Sequence, residues 1–326
     1  MLAFVASGGL IVLAGVAIAW YSETIAETTG LGRMWVGAVL LAGATSLPEL
    51  TTDIFAVRLD AVDLAVGDLF GSSMANMLIL AVLDLLFPRK EVLRRATLDH
   101  VLTVSLAILL TALATVFVLA RPELLVFWID LASLLLFLVY LAGARAIHHH
   151  VRYQSARTEL YAPGWQVETQ LVLRRAVVGW TLAAIGLLGV APVFVWSAHG
   201  IAEITGLGDT FIGTWLVGLT TSMPELVTSI VAVRMGAVDL AIGNLFGSNA
   251  FNMALFLPLD LVQPASLFAA ADPDHVLSGL VGITLMSLGL VAVVYRAERR
   301  FLLLEWGSLL MLAAYGLGVW LLYRVR

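Results

Sequence analysis

The sequence predicts an all-α polytopic membrane protein in which ten transmembrane helices form two inverted five-helix repeats. Composition and an internal duplication predict it. The chain of 326 residues is 61% hydrophobic and only 13% charged, about half the roughly 25% charged residues of an average soluble domain. Its apolar residues gather in runs that approach or exceed the roughly 20 needed to cross a bilayer. The runs are continuous rather than alternating, which excludes a β-barrel. The duplication is direct: Ala44–Met77 and Thr220–Met253 are identical at 22 of 34 positions. There is no cysteine, so disulfides and thiolate metal sites are excluded.

The first span, roughly Leu2–Tyr21, begins almost at the N-terminus with no basic lead segment and reads as a retained helix rather than a cleaved signal. The second, Met34–Val57, has polar groups at its middle. The third is Leu64–Phe87, and the fourth and fifth are Val101–Ala120 and Leu124–Ala146. A basic stretch, 148–171, then joins the first repeat (1–147) to the second (172–326). The second repeat supplies Val172–Trp196, Thr210–Val233, Leu240–Leu261, Val276–Tyr295 and Phe301–Tyr323. With the N-terminus outside, 14 of the 18 Lys and Arg residues fall in or beside inner connections. Only Arg58, Arg121, Arg324 and Arg326 lie outside. This bias places both termini outside and the linker inside, in a cell (inner) membrane.

The duplication extends beyond its best-matched block. Trp20 matches Trp196, Glu27 matches Glu203, Gly30 matches Gly206, Asp84 matches Asp260 and Pro88 matches Pro264, all 176 positions apart. After one inserted residue, Asp99-His100 matches Asp274-His275. Five spans separate each element from its copy, and five is odd, so the copies cross the membrane in opposite directions. Inverted repeats with broken helices at the midplane are the architecture of secondary transporters. Drift after a duplication should spare the apolar packing pattern first, yet here the polar residues match best.

The polar residues explain what is being kept. In Thr45-Ser46-Leu47-Pro48-Glu49 and Thr221-Ser222-Met223-Pro224-Glu225, the proline has no N–H. It therefore frees the carbonyl four residues earlier, at Ala44 and Thr220. Thr45, Ser46 and Glu49 share one helix face by their i,i+4 and i,i+3 spacing. Hydroxyl, carboxylate and carbonyl oxygens together suit hard cations. In the next helix Asp68, Ser72 and Asn76 form a stripe, matched by Asn244, Ser248 and Asn252. Gly67-x-x-x-Gly71 and Gly243-x-x-x-Gly247 leave smooth faces for close backbone approach. A carboxylate at mid-helix costs roughly 2.5–3.5 kcal/mol to insert, and no Lys or Arg lies inside these helices to offset it. Bound cations or protons are the available counter-charges. The alternatives are a protonated Glu49/Glu225 pair that joins helices, and interhelical hydrogen bonding by the Ser and Asn residues.

On these two in-register motifs the chain resembles the calcium/cation antiporter superfamily, specifically its prokaryotic sodium/calcium exchangers, over nearly its whole length. The resemblance implies a diamond-like cluster of four cation sites between helices two, three, seven and eight. Glu49 and Glu225 would be the central acidic ligands. Thr45, Ser46, Thr221 and Ser222 would flank them, Ser72, Asn76, Ser248 and Asn252 would complete the cluster, and the carbonyls of Ala42 and Gly218 would add ligands. The first and sixth helices would slide across this core to switch access. The transported ions would be Ca²⁺ and Na⁺ (or H⁺), with no cofactor, in a monomer. Two departures stand out. Family members often carry an Asp at one of the two positions where this chain has Asn76 and Asn252. The usual G-N-x-x-G-S-N of helix three reads Gly67-Asp68-Leu69-Phe70-Gly71-Ser72-Ser73 here. Asp68 either supplies the missing charge one turn away or sits at the helix entrance, solvated or paired with Arg58.

The expected function is thus secondary antiport of Ca²⁺ against Na⁺ by alternating access. A Ca²⁺/H⁺ exchanger is the alternative within transport, and the absence of His from the helix-three and helix-eight stripes favours sodium. A gated cation channel is the alternative of another class, disfavoured because channels usually repeat around an axis along the pore. There is no nucleotide-binding loop, nucleophile triad or Cys/His zinc spacing, so neither an enzyme nor nucleic-acid binding has support. Asp84 and Asp260 either line an ion vestibule or serve as caps or solvated residues at the membrane interface. His148-His149-His150 reads as solvated loop rather than a metal site.

Overall fold

The computed structural model describes residues 2–88, 90, 92–122, 125–126, 129–158, 167–204, 220–263, 266–295 and 306–325. Gly206, Trp215, Gly218, Pro264, Arg89, Arg296, Arg299, Arg300 and the first half of the expected seventh span lie outside the described residues. The described residues are helical almost throughout: α1 (Leu2–Thr29), α2 (Arg33–Arg58), α3 (Val62–Leu86), α4 (His100–Ala120), α5 (Leu131–Thr158), α6 (Val167–Ile204), α7 (Met223–Met235), α8 (Val238–Asp260), α9 (His275–Tyr295) and α10 (Trp306–Val325). Among the described residues, nine helices are long and apolar enough to span a bilayer. The tenth expected span is represented by α7.

Burial runs against hydropathy. The spanning part of α8 is 89% buried at a mean hydropathy of 1.3, whereas that of α6 is 22% buried at 2.0. A bilayer inverts the usual sorting: apolar residues face lipid, and polar side chains must find partners inside the bundle. The polar helices α2, α3, α7 and α8 therefore sit at the centre, with α8 packed against α2, α3, α4 and α7. Helix α1 lies along α6 and α7 at the side of this core. Its inner stripe, Ser7, Ile11, Gly15, Ile18 and Ser22, is buried. Phe4 stacks on Phe194 with ring centroids 4.6 Å apart, and Trp180 Nε1 donates to Ser22 Oγ over 3.1 Å. Leu2, Leu13 and Trp20 face outward.

Glycines set the tightest seam, between α8 and the first half of α2. A Cβ on Gly243 would come 2.7 Å from the Met34 carbonyl, and one on Gly247 would run into the backbone of Ala38. The facing turns of α2, Val36–Leu41, are wound as a π-helix, a form that concentrates at functional sites.

Helix ends depart from the sequence expectation in three places. Helix α1 runs on to Thr29 because Thr24, Thr28 and Thr29 return their hydroxyls to the carbonyls of Trp20, Thr24 and Ile25, which lets a polar last turn remain helical. The stretch expected as the start of the fifth helix is instead a short antiparallel ribbon, β1 (Leu125–Val126) with β2 (Ile129–Asp130). Asp130 Oδ1 accepts the Ala132 N–H and starts α5 there. Finally, α5 continues to Thr158 and α6 starts at Val167. Much of the expected 148–171 linker is thus helix projecting beyond the apolar span, which ends at Val151.

Both ends of the bundle are tied by bonds that cross between repeats. His100 Nε2 lies 2.9 Å from Asp239 Oδ1, which also accepts the Thr97 N–H. His275 Nε2 lies 3.3 Å from Asp63 Oδ1, which accepts the Asp272 N–H. Ser308 Oγ donates to Asp84 Oδ2 over 2.7 Å, and Ser133 Oγ donates to Asp260 Oδ2 over 2.9 Å. Asp84 and Asp260 thus anchor helix ends. His150 pairs with Asp99 and His148 packs edge-on against Trp35, so the histidine run is divided between separate contacts.

Candidate functional site

The polar centre is built on two matching helix breaks. In α2 the break falls at Ser46 (φ −87°, ψ 3°), and before α7 it falls at Ser222 (φ −78°, ψ 6°). Pro48 and Pro224 each lie two residues on, within the first turn of the resumed helix. That position tolerates proline because its N–H would be unpaired there anyway. Glu49 and Glu225 follow in the same first turns, where partial positive charge at a helix start favours a carboxylate. Both are buried, at 1% and 0% exposure.

The two breaks meet crosswise. Thr45 Oγ1 donates to Asn244 Oδ1 over 3.2 Å and lies 3.5 Å from Ser248 Oγ. Across the pseudo-axis, Thr221 Oγ1 donates to Asp68 Oδ1 over 3.1 Å and lies 3.4 Å from Ser72 Oγ. Ser46 Oγ and Ser248 Oγ each reach Glu225 Oε1 at 3.4 Å. Glu49 lies within electrostatic reach of Glu225, Asp68 and Asp53. Four helices from both repeats thus converge on one fully buried patch of oxygens.

Several of these atoms are unsatisfied. Glu49 Oε2, Glu225 Oε2, Ser222 Oγ, Asn76 Oδ1 and both amide atoms of Asn252 are buried without a hydrogen-bond partner. An unpaired buried polar group costs roughly 1–3 kcal/mol. Such a concentration of orphans needs a ligand or water to offset it. Ala42, by contrast, has its carbonyl engaged by the Ser46 N–H and the Thr45 hydroxyl. Asn76 Nδ2 donates to Asn249 Oδ1 over 2.9 Å, joining α3 to α8.

Asp68 is buried, with 1% exposure, and its partners are Thr221 and Ser72. It is neither solvated nor paired with Arg58. Near it stands Asp53, also 1% exposed, whose carboxyl lies within electrostatic reach of that of Asp68. Reasoning from matched residues missed Asp53 because its counterpart is Ser229. The signal was its i,i+4 spacing from Glu49, which places both carboxylates on one face. Asn249, Thr228 and Ser229 were missed as well, although all three make polar contacts at the centre.

A cavity of about 580 Å³ opens at one membrane face, between the end of α1, the start of α2 and Asp239 of α8. Glu27, Arg33, Thr97, Asp99 and Asp239 line it. At its edge Arg33 pairs with Glu23 and, over 3.1 Å, with Glu27.

A family model described as "Sodium/calcium exchanger protein" matches residues 1–144 and 175–324. The "Putative antiporter CaxA" of Alkalimonas amylolytica is 30% identical over 282 residues, covering 82% of this chain and 83% of that protein. The "Sodium/calcium exchanger MaX1" of Methanosarcina acetivorans is 26% identical over 305 residues, covering 82% of this chain and 85% of the other. A solved structure of the sodium-calcium exchanger NCX_Mj, soaked with 100 mM Na⁺ and 10 mM Sr²⁺, superposes with a TM-score of 0.72 at 21% identity. That match covers 97% of this chain and 96% of the other, a likeness of fold.

Proposed function

The chain belongs to the sodium/calcium exchanger family, and on that premise we propose that it is a secondary antiporter that moves Ca²⁺ against Na⁺ by alternating access. The observation that carries this reading is the crosswise meeting of the two breaks. Ser46 and Ser248 both address Glu225, while Glu49 faces it from the opposite repeat.

In this reading Glu49 and Glu225 hold the transported cation. Thr45, Ser46, Thr221 and Ser222, with the carbonyls of Ala42 and Gly218, flank it from the breaks. Ser72, Asn76, Ser248 and Asn252 close the cluster from α3 and α8, and Asp68 adds charge. Oxygen donors of this kind suit both Na⁺ and Ca²⁺. The two ions compete for the same oxygens, so one leaves before the other can bind, and that competition couples the fluxes. An empty site carries bare carboxylates whose exposure to the apolar barrier is costly. A filled site is near neutral and can be occluded. Helices α1 and α6, packed on each other beside the core, move together across it. The cavity bounded by α1, α2 and Asp239 is, in this reading, the mouth through which ions approach from the inner face, with both termini outside. The units are the repeats 1–147 and 172–326 joined through 148–171, acting as a monomer in the cell membrane without a cofactor and without enzymatic chemistry.

The test is ⁴⁵Ca²⁺ uptake into proteoliposomes. An outward Na⁺ gradient should drive uptake severalfold above a choline control. Equal uptake with no counter-ion would indicate a channel, and uptake driven only by a proton gradient would replace Na⁺ with H⁺.

A further inference from the structure

The two repeats place different chemistry at one pair of equivalent positions. In the second repeat, Asn244 Nδ2 donates to Ser229 Oγ over 3.2 Å and to Thr228 Oγ1 over 3.1 Å, while its Oδ1 accepts from Thr45. That arrangement is neutral and its donors are placed. In the first repeat the same positions hold Asp53 and Asp68, two buried carboxyls within electrostatic reach of each other. Both oxygens of Asp53 and Oδ2 of Asp68 are buried without a hydrogen-bond partner. Neither residue is ion-paired to a basic side chain among the described residues. Replacing a matched Ser–Asn bond by two facing acids brings like charge into a low-dielectric interior, where it persists only with a counter-ion or by neutralisation. The open donors are oxygens alone, and Thr221 adds a hydroxyl from the opposite repeat.

We propose that Asp53 and Asp68, with Thr221, form an additional position for a hard cation, Na⁺ or Ca²⁺, beside the central glutamates and in the first repeat only. This rests on the antiporter reading above and adds to it a site that the two-fold symmetry does not predict. It adds Asp53 to Glu49, Glu225 and Asp68 and so makes four buried carboxylates that serve cations, with a further cation bound one helical turn from Glu49. The charge carried per cycle is then set by the first repeat, not by the symmetric centre.

The experiment is equilibrium binding of ⁴⁵Ca²⁺ and, separately, ²²Na⁺ to the purified full chain in detergent with choline as the only other cation. Asp53→Ser with Asp68→Asn rebuilds in the first repeat the pair that the second already accommodates. The wild type should saturate with one more cation per chain than this double variant, for at least one of the two ions. Glu49→Gln with Glu225→Gln should retain a binding step that vanishes when all four substitutions are combined. Equal stoichiometry and affinities within twofold for both ions in the wild type and the Asp53/Asp68 variant would overturn the proposal, leaving the pair as acids that share a proton. If the double variant is not recovered monodisperse, Asp53→Ser alone gives the readout: a tenfold weaker second binding step is expected, and an unchanged one overturns the proposal. Loss of the extra cation in a protein that still exchanges Ca²⁺ after Glu49→Gln/Glu225→Gln would instead sink the antiporter reading of the glutamates and spare this site.

Discussion

At their ends the two repeats make the same bonds with exchanged partners. His100 meets Asp239 as His275 meets Asp63, and Ser308 meets Asp84 as Ser133 meets Asp260. At their middles they diverge. Asp53 and Asp68 stand where the second repeat has Ser229 and Asn244, and α8 is interrupted near Pro258 where α3 runs unbroken past Val82. The ends are constrained by assembly, since each half must fit the other from both sides. On the proposed function the middle is constrained by the ions, which need not treat the halves alike. Symmetry is kept at the helix ends and at the central glutamates, and it is broken beside them, at Asp53 and Asp68.

The most severe way to break the comparison is at the residues that are symmetric and central. Glu49→Gln and Glu225→Gln should each abolish Na⁺-driven ⁴⁵Ca²⁺ uptake. Removing one charge from a paired buried set costs about 3 kcal/mol or more, on the order of 100-fold in cation affinity. A variant that transports at half the wild-type rate would mean that its glutamate is not a shared ligand.

The seam between α2 and α8 comes next. Gly247→Ala places a methyl group in the Ala38 backbone, whereas the same change at Gly282 of α9 meets nothing within 4 Å. Overpacking of this kind costs about 1–3 kcal/mol. Thermal unfolding in detergent should therefore show a clear loss for Gly247→Ala and little for Gly282→Ala; equal melting temperatures would show that the seam relaxes freely.

The histidine clamps sharpen the comparison further, because they match in partner but not in burial. Both histidine side chains are buried, at 0% and 7% exposure, but the Asp239 side chain is 26% exposed and that of Asp63 57%. His100→Ala should destabilise by about 1–3 kcal/mol, as for a lost buried bond to a charged group. His275→Ala should cost less than that, because its carboxylate partner is half exposed and better screened by water. A reversed order in the same melting assay would contradict the burial argument. The smallest expected effects are at the serines: Ser133→Ala and Ser308→Ala should each cost about 1 kcal/mol, equally, and a threefold disparity would show that the helix-end bonds are not equivalent.

Most of the architecture was legible in the sequence because lipid requires long apolar runs and because the duplication fixes their relative direction. The central oxygens were legible for the same reason: Thr45, Glu49, Ser72 and their copies are matched residues in a medium that penalises polarity. What was not legible depends on partners distant in sequence. Asp53 is invisible to a search for matched pairs because its copy is a serine. The role of Asp84 and Asp260 emerges only when α10 and α5 bring Ser308 and Ser133 to them. The start of α5 is set by Asp130 acting as a cap, not by hydropathy, and the π-turns of α2 leave no mark in a run of Val, Gly, Ala and Leu.

The exchanged partners of the helix ends carry a consequence for biogenesis. His100 waits 139 residues of synthesis for Asp239, and Asp84 waits 224 for Ser308. A nascent chain that has threaded only its first five segments into the bilayer therefore leaves the translocon with polar side chains unanswered. Quality-control proteases have a long window in which to inspect it, until the late segments arrive.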